Sequence, residues 1–278
     1  MNFAPGANAG DKMTETLDAR ALDLKAVRRR FDEDGYCVIR GVLSAEELDT
    51  ARTALERVRL EDEMQGTALR YGPSLSNQRI WVLLNRAEAF VNLAMHPVML
   101  AVIRELLGYD EVLLSTMSAN ITGPGGDHGI GRLHADQSFL PGTFPQRLMV
   151  NTAFFLDDYT EENGATVFAP GTHRSPEGPP EEMPPPTKLA QITGRAGDLA
   201  LWDGFLHHAT GLNRTADQQR RGVIATYFPP FMRTQENWCR TLDRELLDKY
   251  PGLAALTGFD EWRTMGGVNG GIGRGLNF

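Results

Sequence analysis

Little in this 278-residue chain is suited to gripping a phosphate backbone, building a disulfide framework or crossing a bilayer. It has only four lysines (Lys12, Lys25, Lys188 and Lys249) and a formal charge of -8, and its one basic run, Arg28-Arg29-Arg30, would be spread around a surface by helical spacing. Nucleic acid is therefore excluded as a natural partner, and no cradle for a nucleotide phosphate stands out. The two cysteines, Cys37 and Cys239, are far apart and form no C-x-x-C pair, which argues against a disulfide scaffold and fits a reducing compartment. Residues 1–11 lack the basic start and apolar core of a secretory signal, and no apolar run approaches the ~20 residues of a membrane-spanning helix. These features predict a cytoplasmic protein with no membrane partner.

What is present is ordinary for a globular domain, with 41% hydrophobic and 23% charged residues. Residues 1–20 have no apolar periodicity and are expected to form a flexible arm, with one domain over 21–265 and a Gly-rich tail over 266–278. Leu22, Leu24, Val27 and Phe31 share a helical stripe; Asp34-Gly35 turns into a short strand, Tyr36 to Ile39; and Ser44 with Glu47 makes a capping box for a helix to about Leu60. Ala87 to Met95 and Pro97 to Leu107 read as two more helices. The texture then changes to short β-branched and aliphatic runs at Val112–Ile121, Met149–Leu156, Leu199–Trp202 and Val223–Phe228. Helices followed by many short strands predict helices packed on a β-sandwich or barrel. Ser175 to Pro186, with six prolines, reads as an extended loop; either it or the tail is placed to act as a lid.

Chemistry concentrates in the histidines. Of His96, His128, His134, His173, His207 and His208, the third belongs to His134-Ala135-Asp136, and residues i and i+2 of an extended strand project from one face. Downstream, Gly197 to Gly204 reads as a turn, a buried strand and a second turn, which delivers His207-His208 to a strand margin. Two imidazoles and one carboxylate on one side of an ion form the facial triad of non-haem iron(II) oxygenases; zinc takes the same donors. About a dozen residues further on, Arg220-Arg221 enters a strand, and the planar fork of a fixed guanidinium suits the distal carboxylate of a dicarboxylate cosubstrate. The spacing alone leaves open which histidine and which arginine serve.

Four stretches resemble the phytanoyl-CoA dioxygenase family: FDEDGYCVIRGVLSAEEL (31–48), His134-Ala135-Asp136, ENGATVFAPGTHR (162–174) and GDLALWDGFLHHATGLNRTADQQRR (197–221). The resemblance implies a mainly β fold with packed helices around a double-stranded β-helix, the cupin-like jelly roll. It also implies Fe(II) held by His134, Asp136 and His208, with 2-oxoglutarate and O2 as cosubstrates and succinate and CO2 as products. His208 is selected over His207 by its spacing to Asn213, and Arg220 over Arg221 by its place after the Asn213 turn. By the same resemblance Thr210, two residues beyond the distal histidine, joins Arg220 on the cosubstrate, with Asn151 and Thr116 as further contacts. An acid at Asp136 disfavours halogenation, since related halogenating enzymes keep a small residue there. The implied activity is hydroxylation or another oxidation of an unactivated C–H bond in a small organic metabolite. Gln137, Phe139, Trp81, Arg79 and the 175–186 loop are candidates to line the substrate pocket. Two rival readings are a zinc-dependent hydrolase on the same three ligands and a catalytically inert jelly-roll binding protein. Nothing in the sequence bears on oligomeric state.

Overall fold

The structure, a computed structural model, describes residues 17–72, 74–124, 132–140, 146–175 and 177–267. Of the N-terminal arm, residues 1–16 lie outside the described residues, as do His128 and residues 268–278 of the Gly-rich tail. The expectation of a loose arm through residue 20 is corrected at its end. Leu17–Asp18 (β1) pairs in parallel with Tyr36–Arg40 (β2), and Leu17 is buried.

The helical layer comes first in the chain. α1 (Leu24–Asp34) is capped by the Asp23 carboxylate, α2 (Ala45–Gln65) opens on the complete Ser44/Glu47 capping box, and both end on a left-handed glycine. α3 (Glu88–Ala94) and α4 (Pro97–Leu107) follow, the latter with Pro97 in its first turn and Gly108 closing it. Taken together, Glu88–Leu107 is long and apolar enough by composition to cross a membrane, a longer apolar run than the sequence reading allowed. Its Phe90, Val91, Leu93, Val102 and Ile103 lie in the core of this fold.

The remaining strands are β3 (Leu69–Tyr71), β4 (Asn77–Ile80), β5 (Leu113–Thr122), β6 (Val150–Phe155), β7 (Thr166–Phe168), β8 (Ala190–Ile192), β9 (Leu199–Asp203), β10 (His208–Ala209) and β11 (Arg220–Phe228). Short helices α5 (Trp238–Thr241), α6 (Glu245–Lys249) and α7 (Leu253–Leu256) complete the described chain. Eight strands form one sheet in the order β1-β2-β9-β6-β11-β5-β4-β3, antiparallel except at β1–β2, and a smaller sheet runs β10-β7-β8.

Alternation along the large sheet separates two environments. Met117, Ala119 and Ile121 of β5, Val150 and Phe154 of β6, Leu199 and Leu201 of β9, and Val223, Ala225 and Tyr227 of β11 pack on the helices. Their neighbours Thr116, Asn120, Asn151, Trp202, Arg220 and Thr226 face a cavity on the other side. Both sets are buried, so hydrophobicity alone does not separate them. A bulge at Ser115, where the register against Thr226 and Tyr227 shifts, draws in residues 235–236, whose amides donate to Ser115 Oγ (3.0 Å) and O (2.8 Å).

Candidate metal centre and active site

β9 ends at Asp203, whose carboxylate accepts from the Phe205 amide (2.9 Å) and from Arg147 Nε (2.7 Å), while Arg147 also reaches Asp32 on α1 (2.8 Å). This ion-paired knot, buried at Asp203 and open to solvent at Asp32, fixes the turn that delivers His208 to β10. The backbones of His208 and His134 then exchange two hydrogen bonds (2.9 and 3.0 Å) as an isolated antiparallel bridge. The extended strand expected for His134-Ala135-Asp136 is thus a single bridge residue followed by a turn, with Ser138 N donating to Ala135 O (3.2 Å) and Gln137 N to Gly204 O (2.8 Å). Cross-chain bonds to the Gly204 turn hold the segment in place of a continuous ladder.

The three side chains still converge. His134 Nε2 is 3.4 Å from Asp136 Oδ1, His208 Nε2 is 3.3 Å from Asp136 Oδ2, and one donor atom from each lies within 4.8 Å of the others. His208 Nδ1 is 2.9 Å from the Leu206 carbonyl, which can only accept, so the proton sits on Nδ1 and the Nε2 lone pair faces the cluster. Burial tends to raise the Asp136 carboxyl, but His208 and His134 outweigh it and hold it at about 2. Burial lowers His208; at His134 burial opposes protonation, and the hydrogen bond and charge of Asp136 raise it overall. A carboxylate and two imidazoles are the donor set a divalent transition metal takes, and a bound cation would displace the proton that Asp136 favours on His134, so the residues present fit the implied iron. His207 contributes no atom to the cluster.

Asn151 and Thr116 line the same cavity with their polar groups already engaged. Asn151 Nδ2 donates to Asp136 Oδ2 (2.9 Å) and its Oδ1 accepts from Thr226 Oγ1 (2.7 Å), a supporting chain that orients the carboxylate and that sequence reasoning missed. Its only sequence signal is polar residues at strand positions facing one side. Thr116 Oγ1 donates to Glu236 Oε1 (2.6 Å), and burial raises the Glu236 carboxyl.

The two arginines part company by parity. Arg221 points outward and forms a two-pronged pair with Asp157 (2.8 and 2.7 Å). Arg220 is buried, forms no carboxylate pair among the described residues, and donates Nη2 to Thr122 Oγ1 (2.6 Å). Its place is set by the Asn213 turn, where Asn213 Nδ2 donates to the Thr122 and Gln218 carbonyls (3.2 and 2.8 Å). That turn lies against the 162–165 turn: an added Cβ on Gly211 would meet the Ala165 carbonyl at 2.1 Å, and Gly164 adopts φ +84°. Two of the stretches singled out in the sequence are therefore halves of one contact. A buried cation beside a metal cluster fits the distal end of a dicarboxylate.

The cavity measures about 650 Å³ and is lined by His134, Asp136, His208, Arg220 and Thr210. Arg79, Trp81 and Phe139 line it too; among the described residues, Gln137 and those of the 175–186 loop do not. Gln137 is a structural residue, its amide donating to the Gln146 carbonyl (3.1 Å) and its Oε1 accepting from the Leu148 amide (3.1 Å).

Residues 31–222 match the family model described as phytanoyl-CoA dioxygenase. The chain belongs to the phytanoyl-CoA dioxygenase family. It is a non-haem iron, 2-oxoglutarate-dependent dioxygenase, with O2 as the second cosubstrate. Among curated relatives, dioxygenase af480 of Aspergillus fumigatus is 32% identical over 81% of this chain and 73% of its own length. Dioxygenase hkm4 of Aspergillus hancockii is 29% identical over 84% and 80%. Two solved structures share the jelly-roll fold. The epimerase SnoN, in complex with Fe3+, alpha ketoglutarate and nogalamycin RO, has a TM-score of 0.61 and 21% identity over 82% of this chain and 90% of its own. HygX from Streptomyces hygroscopicus, with nickel, 2-oxoglutarate and hygromycin B, has a TM-score of 0.60 and 20% identity over 74% and 87%.

Proposed function

We propose that this dioxygenase hydroxylates, or otherwise oxidises, an unactivated C–H bond of a small organic metabolite, with His134, Asp136 and His208 as the iron ligands. When bound, iron(II) together with 2-oxoglutarate and O2 supplies an oxidant able to remove hydrogen from carbon, releasing succinate and CO2. The protein's part is positioning. Asn151 holds the Asp136 carboxylate in one orientation, and the Leu206 carbonyl fixes the His208 tautomer. Arg220 and Thr210 receive the distal carboxylate of 2-oxoglutarate, with Thr116 and Asn151 as polar points on the wall. The acid at Asp136 occupies the position a halide would need, which favours hydroxylation over halogenation.

A cavity of about 650 Å³ has room for the cosubstrate and for a second molecule of metabolite size. Trp81 and Phe139 are exposed aromatics that line it, and Met149, Phe228 and Met232 extend its apolar surface, which suits a substrate with a substantial apolar body. Epimerisation and the binding of nogalamycin RO and hygromycin B belong to the similar structures and lend this chain only the precedent of a small-molecule ligand.

One observation carries the proposal: a two-histidine, one-carboxylate cluster shares its cavity with a buried arginine that lacks a carboxylate partner among the described residues. A zinc hydrolase would leave that arginine without a task. The test is anaerobic titration of the iron(II)-loaded protein with 2-oxoglutarate, followed by measurement of succinate once O2 and ascorbate are supplied. Saturable binding and succinate release are expected; absence of 2-oxoglutarate binding to the iron form overturns the proposal.

A further inference from the structure

We propose that Tyr159 is a positioning residue for the cosubstrate: its ring is the plate against which the Arg220 guanidinium lies, oriented for the distal carboxylate. The inference rests on the reading of Arg220 given above. The Arg220 guanidinium carbon sits 4.2 Å from the centre of the Tyr159 ring. Phe155 stacks on Tyr159 with centroids 3.7 Å apart and planes 12° from parallel. Two groups so close cannot share one face of the ring, so Phe155 backs the phenol on one side and Arg220 lies on the other.

The stack fits only because two glycines make room for it. A Cβ added to Gly222 would fall 1.9 Å from the Tyr159 hydroxyl, and one added to Gly194 would fall 2.8 Å from the Phe155 ring. Gly222 follows Arg220 by two residues on β11 and therefore shares its face, so the phenol and the guanidinium occupy adjacent positions along one strand. Gly194 also pairs with Tyr159 through its backbone (2.8 and 3.1 Å), which fixes the height of the ring. Phe155, Tyr159 and Arg220 thus form a three-layer stack whose position is set by backbone on β11 and at the isolated bridge of Tyr159 with Gly194.

Arginine has a long, many-jointed side chain, and an unsupported guanidinium loses entropy each time it fixes a ligand. Here one edge donates to Thr122 Oγ1 (2.6 Å), one face rests on Tyr159, and Nε has no hydrogen-bond partner. The guanidinium is held before the ligand arrives, by contacts that do not neutralise its charge. An acid beneath it would hold it as firmly and compete with the cosubstrate. A neutral aromatic ring does not, and its face attracts a cation. Burial also pushes the Tyr159 phenol up, against the influence of Arg220, so it carries no charge at neutral pH.

Tyr159 is also the wall between the active-site cavity and an outer hollow lined by Arg40, Thr193 and Arg195, so truncation to alanine would join the two spaces. The test uses substitutions that keep the wall. Full-length protein loaded with nickel(II) is titrated calorimetrically with 2-oxoglutarate and with 2-oxovalerate, which carries the same 2-oxo acid head and a methyl group in place of the distal carboxylate. Wild type is expected to prefer 2-oxoglutarate strongly. Tyr159→Leu should lose about tenfold of that preference, ~1.4 kcal/mol, through weaker 2-oxoglutarate binding alone. Nickel and 2-oxovalerate affinities should stay unchanged, and Tyr159→Phe, which keeps the ring, should behave as wild type. A Tyr159→Leu protein that keeps the full preference, or that weakens for both ligands by the same factor, overturns the proposal. Tyr159→Met repeats the test should the leucine variant not melt cooperatively. Failure of the underlying reading looks different: wild type without a preference, or Arg220→Leu with the preference intact, removes Arg220 from the cosubstrate.

Discussion

The two faces of the large sheet are built from the same strands and equally removed from water, yet they do opposite work. Toward the helices, Met117, Phe154, Leu201, Val223 and Tyr227 form a continuous apolar core. Toward the cavity, the intervening residues are Thr116, Asn120, Asn151, Arg220 and Thr226. Buried polar groups are costly unless paired, and most of these are: Thr226 to Asn151, Asn151 to Asp136, Arg220 through Nη2 to Thr122, Tyr71 to Asn120. One face holds the fold together, and the other carries the polar groups around Arg220 and the cluster of His134, Asp136 and His208.

If that division is right, substitutions on the two faces should separate stability from binding. The largest effect is expected at Asp136. Asp136→Ala should lower metal affinity by more than about 100-fold, beyond the cost of losing a supporting partner, while the melting temperature of the metal-free protein stays close to wild type; equilibrium dialysis and thermal melts check both. Next is Phe154→Ala on the helix face, which should cost about 3–5 kcal/mol in a urea titration and leave the metal affinity of the folded fraction unchanged. A fall in affinity there would break the comparison.

Asn151→Ala sits between the two. With the Asp136 carboxylate no longer oriented, metal affinity should fall about 10- to 100-fold, by calorimetry with nickel(II). The smallest effect concerns Glu236 at the cavity edge, whose carboxyl burial holds above its ordinary range. A raised acid favours the folded state's neutral form. Wild type therefore loses stability as pH climbs through the unfolded carboxyl's pKa and on to the folded one, and the loss is constant above that. Glu236→Gln should gain thermal stability over wild type at about pH 7.5 and show no gain at about pH 4; equal differences at both values would place the cost elsewhere.

Much of the architecture was legible in the chain because its signals are local. The Ser44/Glu47 box, Pro97 and Gly108 mark helix ends through contacts within a few residues, and all three lie where expected. The strands at 150–155 and 199–203 differ from the sequence reading by a residue or so at an end. The metal cluster was legible for a different reason. Histidines and an aspartate at the family's spacing name candidate donors whatever backbone carries them, so the three side chains converge even though a bridge and turn replace the expected strand at 134–136. Gln137, one of several candidates for the pocket wall, has a structural role that nothing nearby in sequence reveals: its amide holds the Gln146 and Leu148 backbone.

By itself, then, the sequence determined the donor types, the turn that follows His208 and the alternation within each strand. The family resemblance selected His208 and Arg220 from their adjacent pairs, and the physical reason that these two face the cavity lies in three dimensions. Arg220 and Arg221 are identical side chains one residue apart, and β11 begins at Arg220, so the pleat turns one inward and the other to Asp157. The pairing of β11 with β5 and β6 sets that choice through hydrogen bonds to residues about 70 to 100 positions away. The stack beside Arg220 belongs to the same class of fact: Phe155, Tyr159, Gly194 and Gly222 have no motif in common and meet only because β6, β11 and the isolated bridge of Tyr159 with Gly194 bring them together.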